Sequence, residues 1–156
     1  MVSDALQFGG YFSILCTQEQ NHMEPIMQKY GLNSFTYPIL VYLSRNEGLN
    51  QKNLYRMFLL NESLATRTMR TLEAEGFIFR ERDAEDKRSY ILRLTNKGKD
   101  IAVVLADELD KWWSDVLQPL NENATAILAA QMLKISQRSI DLNQATIDSK
   151  KWINNS

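Results

Sequence analysis

A mainly α fold with one small β-hairpin is what this sequence predicts, and three observations predict it. Residues 60–76 carry a helix start, a helix stop and two chemically different faces. A shorter helical stretch, residues 50–58, precedes them across a tight link, and two runs rich in β-forming residues follow, 77–82 and 89–94. Helix, helix, hairpin is the order of a winged helix-turn-helix, and the long apolar helical stretches on either side predict terminal helices around it.

Residues 4–30 set Tyr11, Phe12, Leu15, Cys16, Met23, Ile26, Met27 and Tyr30 on an approximate helical stripe. Pro25 removes an internal hydrogen bond and predicts a kink or break near Glu24. Gly31 closes this helix, and Ser34 or Thr36 caps a second one to about Arg45, with Tyr37, Leu40, Val41 and Ser44 on one side. Asn50 caps a third, which turns Leu54, Met57 and Phe58 inward.

Asn61 is placed to cap the fourth, since its side-chain oxygen can accept from first-turn amides, and Gly76 suits the left-handed position that ends it. About four turns fit between them. Ala65, Thr68, Met69 and Leu72 recur at helical spacing and form the buried stripe, while Glu62, Ser63, Thr66, Arg67 and Arg70 fall on the other side. That second face is short, polar and cationic. By itself it reads as a solvated helix surface; the short helix before it and the hairpin after it favour a face built for a ligand.

The polar run 83–88 joins the two strands. Thr95 then caps a helix over residues 96–117 that stops at Pro119, with Ile101, Val104, Leu105, Leu109, Trp112, Trp113 and Val116 apolar. Asn121 caps a last run holding Ala124, Ile127, Leu128, Met132 and Ile135, after which residues 141–156 lose clear periodicity. A small winged unit cannot cover the apolar faces of the first helix and these last two, so a homodimer is expected. The chain divides accordingly into residues 1–34, an N-terminal dimerisation helix; 35–99, the winged unit; and 100–156, C-terminal dimerisation helices, all intertwined rather than separate.

With 156 residues and 44% hydrophobic content the chain can bury one good core. No window has the unbroken apolar length of a membrane span, and the first residues lack the basic-then-apolar order of a signal peptide, so a cytoplasmic protein with no membrane partner is expected. One cysteine, Cys16, cannot form an internal disulfide. The formal net charge is −1, but its distribution is uneven: residues 45–99 hold 12 basic and 8 acidic side chains, while residues 1–44 and 100–156 carry net −2 and −3. A basic centre between acidic flanks suits local contact with phosphate, which is screened over roughly a Debye length.

Catalytic chemistry is not expected. One His, one Cys, no glycine-rich phosphate loop and no nucleophile elbow leave few ways to build an active site. Glu81, Asp83, Glu85 and Asp86 crowd one exposed turn without a nucleophile nearby. His22 and Cys16 are the only imidazole and thiol, too few for a tight transition-metal site, so neither metal nor other cofactor is expected.

Asp86, Arg88, Leu92, Leu94 and Thr95 resemble the D-x-R-x-x-x-L-x-L-T wing signature of MarR-type transcriptional regulators, and Asn96, Lys97 and Gly98 continue the likeness. Leu72, Glu73, Gly76, Phe77, Ile78 and Arg80 are similar to the segment that leaves the recognition helix in that family. The resemblance covers roughly residues 35–100 and fixes a helix end, two strands and the turn between them in order.

It implies a homodimer whose winged units each read half of an inverted-repeat operator in double-stranded DNA. The fourth helix would lie in the major groove, with the wing in the adjacent minor groove. Glu62, Ser63, Thr66, Arg67 and Arg70 would face the bases, Arg67 foremost, because Arg pairs with guanine O6 and N7. The run Glu62, Ser63, Leu64 departs from the Pro-Ser-Thr often found there at its first and last positions, which points to a different base preference. Arg88 matches the arginine that enters the minor groove and Asp86 the acid that braces the wing. Gln51, Lys52 and Lys87 are candidate phosphate contacts, and Arg82 is a further DNA-binding candidate. The alternative for Arg80 and Arg82 is pairing with Glu81 or Asp83 across the hairpin.

The implied function is a sequence-specific regulator, a repressor released by a small phenolic or other organic-acid effector. No motif fixes the effector site; Tyr11, Phe12, Cys16, Tyr37, Trp112 and Trp113 are pocket candidates, although spacing of this kind more often means core packing. Two other readings stay open: a winged-helix module that binds protein, and a thiol-based redox sensor through Cys16. Against the second, Glu19 should raise the thiol pKa and leave Cys16 partly buried and unreactive.

Overall fold

The computed structural model describes residues 4–58 and 62–154, with side chains described except at Ala5, Glu62 and 145–154. Among the described residues six helices and three short strands follow in the order α1 (Asp4–Tyr30), α2 (Tyr37–Arg45), β1 (Leu49–Asn50), α3 (Gln51–Phe58), α4 (Glu62–Ala74), β2 (Ile78–Arg82), β3 (Tyr90–Leu94), α5 (Asn96–Leu117) and α6 (Glu122–Asn154). The mainly α winged helix-turn-helix is therefore present.

The sheet is antiparallel in the order β1-β3-β2, with Ile78 opposite Leu94 and Arg82 opposite Tyr90. β1, which pairs Leu49 with Leu92, is an addition to the predicted hairpin. Two residues are too few to show an alternating pattern in sequence.

The core gathers Met23 and Met27 of α1, Ile39, Leu40 and Leu43 of α2, Leu54, Met69, Leu72, Phe77, Ile78 and Leu92, and closes with Ile101, Ala102 and Leu105 of α5. None of the described α6 side chains joins it. Each fully buried leucine or methionine stabilises this core by about 1.5–3 kcal/mol relative to exposure.

Several expectations need correction. α1 runs unbroken through Pro25 instead of dividing near Glu24. Its burial starts only at Leu15, so Tyr11, at 63% exposure, and Phe12 face outward, because among the described residues nothing buries the first turns. On α2 the inward side is Tyr37, Ile39, Leu40 and Leu43, whereas Ser44 faces water and donates to the Val41 carbonyl at 2.7 Å. Thr36 holds the N-cap position without a side-chain cap; Asn33 Oδ1 instead accepts from the Phe35 and Thr36 amides at 2.9 and 3.1 Å. On α3, Met57 and Phe58 are each 37% exposed and not inward. Eight residues offer one inward turn, which Leu54 fills; Phe58 lies edge-on to Tyr42 at 5.4 Å. α6 continues to Asn154, past the point where its apolar periodicity fades.

Other local signals act as the sequence indicates. Asn50 Oδ1 accepts from the Lys52 amide at 2.9 Å, Thr95 Oγ1 from the Gly98 amide at 3.0 Å, and Asn121 Oδ1 from the Ala124 amide at 2.9 Å. Each satisfies an amide that a helix start leaves without a partner. Asn61, the expected cap of α4, lies outside the described residues.

Candidate nucleic-acid interface

The orientation of α4 is set from both sides. Ala65, Thr68, Met69 and Leu72 are buried, which turns Ser63, Arg67 and Arg70 to solvent and leaves Thr66 half-buried between the two faces. The Glu62 side chain lies outside the described residues. Gly76, at φ 73°, ends the helix in the left-handed region that costs a glycine nothing. This geometry lets the Phe77 amide donate to the Leu72 carbonyl at 2.9 Å and the Gly76 amide to the Glu73 carbonyl at 3.0 Å.

The start of α5 locks that helix end in place. Thr95 Oγ1 donates to the Gly76 carbonyl at 2.6 Å, the Thr95 amide to the Phe77 carbonyl at 3.0 Å, and Lys97 Nζ to the Glu75 carbonyl at 2.6 Å. Gly98 passes so close that a Cβ there would sit 2.0 Å from the Phe77 oxygen.

The wing turn is an interlocked set of acceptor carboxylates. Asp83 Oδ1 accepts from the Glu85 amide at 3.0 Å; Asp86 accepts from the Arg88 amide at 3.0 Å and from the Ser89 hydroxyl at 2.6 Å. The hydrogen bond from Ser89, then that from the Arg88 amide, holds the Asp86 carboxyl below the usual carboxylate range. α3 is tied to the same turn, with Lys52 Nζ 3.7 Å from Asp86 and Asn50 Nδ2 donating to Asp83 at 3.4 Å. Lys87 and Arg88 project from the turn into water.

Of the remaining candidates, Gln51 differs from expectation. Its side chain is half-buried and donates through Nε2 to the Tyr55 hydroxyl at 2.7 Å, while its Oε1 is buried without a partner. An amide so placed is poorly presented to a phosphate. Arg80 and Arg82 do not pair with Glu81 or Asp83: Arg80 Nε donates to Glu73 at 3.1 Å, Arg82 Nη1 to the Lys87 carbonyl at 2.8 Å, and Glu81 takes Arg93 at 2.6 Å. Among the described side chains no carboxylate pairs with Arg67, Arg70 or Arg88. Sequence reasoning missed Ser89, Asn50, Glu73 and Tyr90 as parts of this assembly; the pairing register of the hairpin is the signal that would have found Tyr90.

Away from this face, Glu19 joins three helices. It accepts from the Tyr37 hydroxyl at 2.6 Å and from Trp113 Nε1 at 2.8 Å. Burial, and then the bond to Glu19, pushes the Tyr37 hydroxyl well above its usual range. A cleft of about 190 Å³ opens beside it, lined by Glu19, Tyr37, Val41, Tyr42, Arg45 and Phe58 among others. Of the aromatic pocket candidates only Tyr37 lines this cleft. Trp112 stacks on His22 at 6.0 Å, Trp113 borders a separate hollow between α5 and α6, and Tyr11, Phe12 and Cys16 are exposed. His22 Nε2 is 2.9 Å from Glu108.

Cys16 is accessible rather than partly buried, yet desolvation of the sulfur and then the Glu19 carboxylate push its thiol pKa up. A raised pKa depletes the nucleophilic thiolate. Cys16→Ser is expected to leave ligand affinity unchanged, and mild peroxide to have no effect on the wild type; peroxide-triggered release that vanishes in Cys16→Ser would make the protein a redox sensor.

Comparison with known proteins bears on the same residues. The model of the MarR family matches residues 32–90. The HTH-type transcriptional regulator BilQ of Clostridioides difficile is 26% identical over 110 residues, 69% of this chain and 74% of that protein. SarZ of Staphylococcus epidermidis, also an HTH-type transcriptional regulator, is 33% identical over 81 residues, 52% of this chain, which spans 55% of that relative's length. A Listeria monocytogenes MarR-family regulator solved in complex with a 26mer DNA superposes with a TM-score of 0.77 at 18% identity, covering 95% of this chain and 96% of that one, a likeness of fold. Among the described residues no helix is long and apolar enough to cross a membrane.

Proposed function

We infer that this chain is a transcriptional regulator of the MarR type, to which it is similar over residues 32–90, and that it reads a specific DNA sequence as a homodimer and acts as a repressor. The observation that carries the reading is which cations are left without acids. Within the winged unit Arg80 and Arg93 are paired with Glu73 and Glu81, whereas Arg67 and Arg70 on α4 and Arg88 on the wing reach water with no described carboxylate beside them. Unpaired guanidinium groups on a helix face and on a braced turn fit base edges and phosphates.

In this reading α4 enters the major groove with Ser63, Thr66, Arg67, Arg70 and the Glu62 position toward the bases. Arg88 enters the minor groove, and Lys52 and Lys87 meet phosphates. Residues 35–99 form the reading unit, and 1–34 and 100–156 the dimerisation helices. Leu6, Tyr11 and Ile14 of α1 and Ile127, Leu133 and Leu142 of α6 support the latter; Leu133, at 72% exposure, has little cover from the described residues of one chain. A small phenolic or organic acid settling in the cleft beside Glu19 and Tyr37, where the terminal helices meet the reading unit, would release the DNA.

Selection of duplexes from random sequence tests this. Selected sites should be inverted repeats with centres about one turn apart, roughly 34–36 Å, and sedimentation should find two chains per duplex. Affinity should fall with salt at a log–log slope of about −0.9 per phosphate contacted. No binding at about 50 mM salt would sink the reading and leave a protein-binding winged module in its place.

A further inference from the structure

A run of side-chain contacts connects the end of α4 to the wing tip, outside the backbone ladder. Arg80 and Arg82 stand two apart on β2, so their side chains leave the same face of the strand. Tyr90 on β3 is the residue opposite Arg82, and its ring centroid lies 4.5 Å from the Arg82 guanidinium and 5.4 Å from that of Arg80. Both distances are within the range where a ring face attracts a cation. Beyond the ring, Arg80 grips Glu73 in the last turns of α4 through Nε and Nη2. On the other side Arg82 Nη1 donates to the carbonyl of Lys87, the residue immediately before Arg88.

Two guanidinium groups side by side repel unless something negative stands with them. Here Glu73 neutralises one, and the ring face of Tyr90 attracts both. We propose that Tyr90 is a positioning residue for DNA reading: its ring holds Arg82 against the Lys87 carbonyl, which aims Arg88, and through Arg80 and Glu73 it keeps that aim in register with α4. The proposal rests on the reading of α4 and the wing as the DNA-binding surface. It gives Arg82 a different task from direct DNA contact, because the Lys87 carbonyl and the ring already engage its guanidinium. The tie uses the face of the ring and not the hydroxyl.

The test is a double-mutant cycle on one selected duplex at fixed salt, with wild type, Tyr90→Phe, Tyr90→Leu, Arg88→Ala and Tyr90→Leu/Arg88→Ala. Tyr90→Phe keeps the ring and should bind within about twofold of wild type, while Tyr90→Leu should bind about tenfold more weakly. In the Arg88→Ala background Tyr90→Leu should cost less than about twofold more, because the side chain it aims is already gone. Arg82→Gln should show the same dependence on Arg88, and it serves where Tyr90→Leu does not fold. A general loss of folded protein would weaken both backgrounds equally, so additive effects overturn the proposal, as does wild-type affinity in Tyr90→Leu or a Tyr90→Phe as weak as Tyr90→Leu. A wild type that binds no DNA overturns the reading of the surface and this proposal with it, an outcome distinct from a wild type that binds and a Tyr90 that does not matter.

Discussion

Arg67→Ala and Arg88→Ala should each weaken operator binding severely while leaving the fold intact, since both side chains are exposed and neither has a described carboxylate partner. For Arg67 a bidentate arginine–guanine contact is worth about 1–3 kcal/mol of discrimination, and loss of the Arg88 minor-groove contact should cost about as much per half-site. A symmetric dimer loses it at both half-sites, so the expected deficit is about 2–6 kcal/mol, or at least roughly 30-fold. The two variants should differ in kind. Arg67→Ala should relax base preference at one position in each half-site. Arg88→Ala should lower affinity without changing the preferred major-groove bases, with most of the loss on sites whose wing contact is A·T-rich, where a narrow groove concentrates negative potential. Fluorescence anisotropy against a set of single-base operator variants measures both, and wild-type affinity in both proteins would remove the surface from consideration.

Among the six glycines, Gly98→Ala should be the most destabilising substitution. The added carbon would stand 2.0 Å from the Phe77 carbonyl oxygen and 3.0 Å from its carbon, and both are backbone atoms held by other bonds. The Phe77 carbonyl accepts from the Thr95 amide and the Gly98 amide donates to the Thr95 hydroxyl, so moving either partner breaks a cap. Overpacking of this kind costs about 3 kcal/mol at the upper end of its common range. For a chain of this size that lowers the thermal midpoint by roughly 6–12 °C. The same displacement would tilt α4 against the wing, so DNA affinity should fall beyond what the lost stability explains. Thermal unfolding followed by circular dichroism decides it: a midpoint within about 1 °C of wild type contradicts the close packing.

What the amino-acid order reveals depends on whether an element signals locally. α5 could be bounded at Asn96 and Leu117 because Thr95 caps one end and Pro119 stops the other, and the buried stripe of α4 followed from spacing alone. Tyr11, Phe12 and Met57 show the limit: periodicity gives a face but not what lies opposite it, and within the described residues of one chain these side chains stay exposed. β1 is too short to have a period, and α6 outlasts its apolar pattern because polar residues sustain a helix as well as apolar ones do. At the candidate interface the exposed cations of α4 and the wing were visible as residue types in a family-like order. Arg82 and Gln51 were equally visible as candidates, but their engagement was not: Arg82 meets a backbone carbonyl across the turn, and Gln51 bonds to Tyr55 one helical turn on, a pairing that i,i+4 spacing permits without requiring.

The acceptor set of Asp83 and Asp86 has a thermodynamic consequence for encounter with a duplex. Holding a residue's backbone in one conformation costs about 1–2 kcal/mol in entropy, so a floppy six-residue tip would surrender about 6–12 kcal/mol on settling into a groove. Here Glu85, Arg88 and Ser89 already donate to those carboxylates in the unliganded chain. That ordering cost falls on folding instead of on association, which leaves more of the contact energy to appear as residence time.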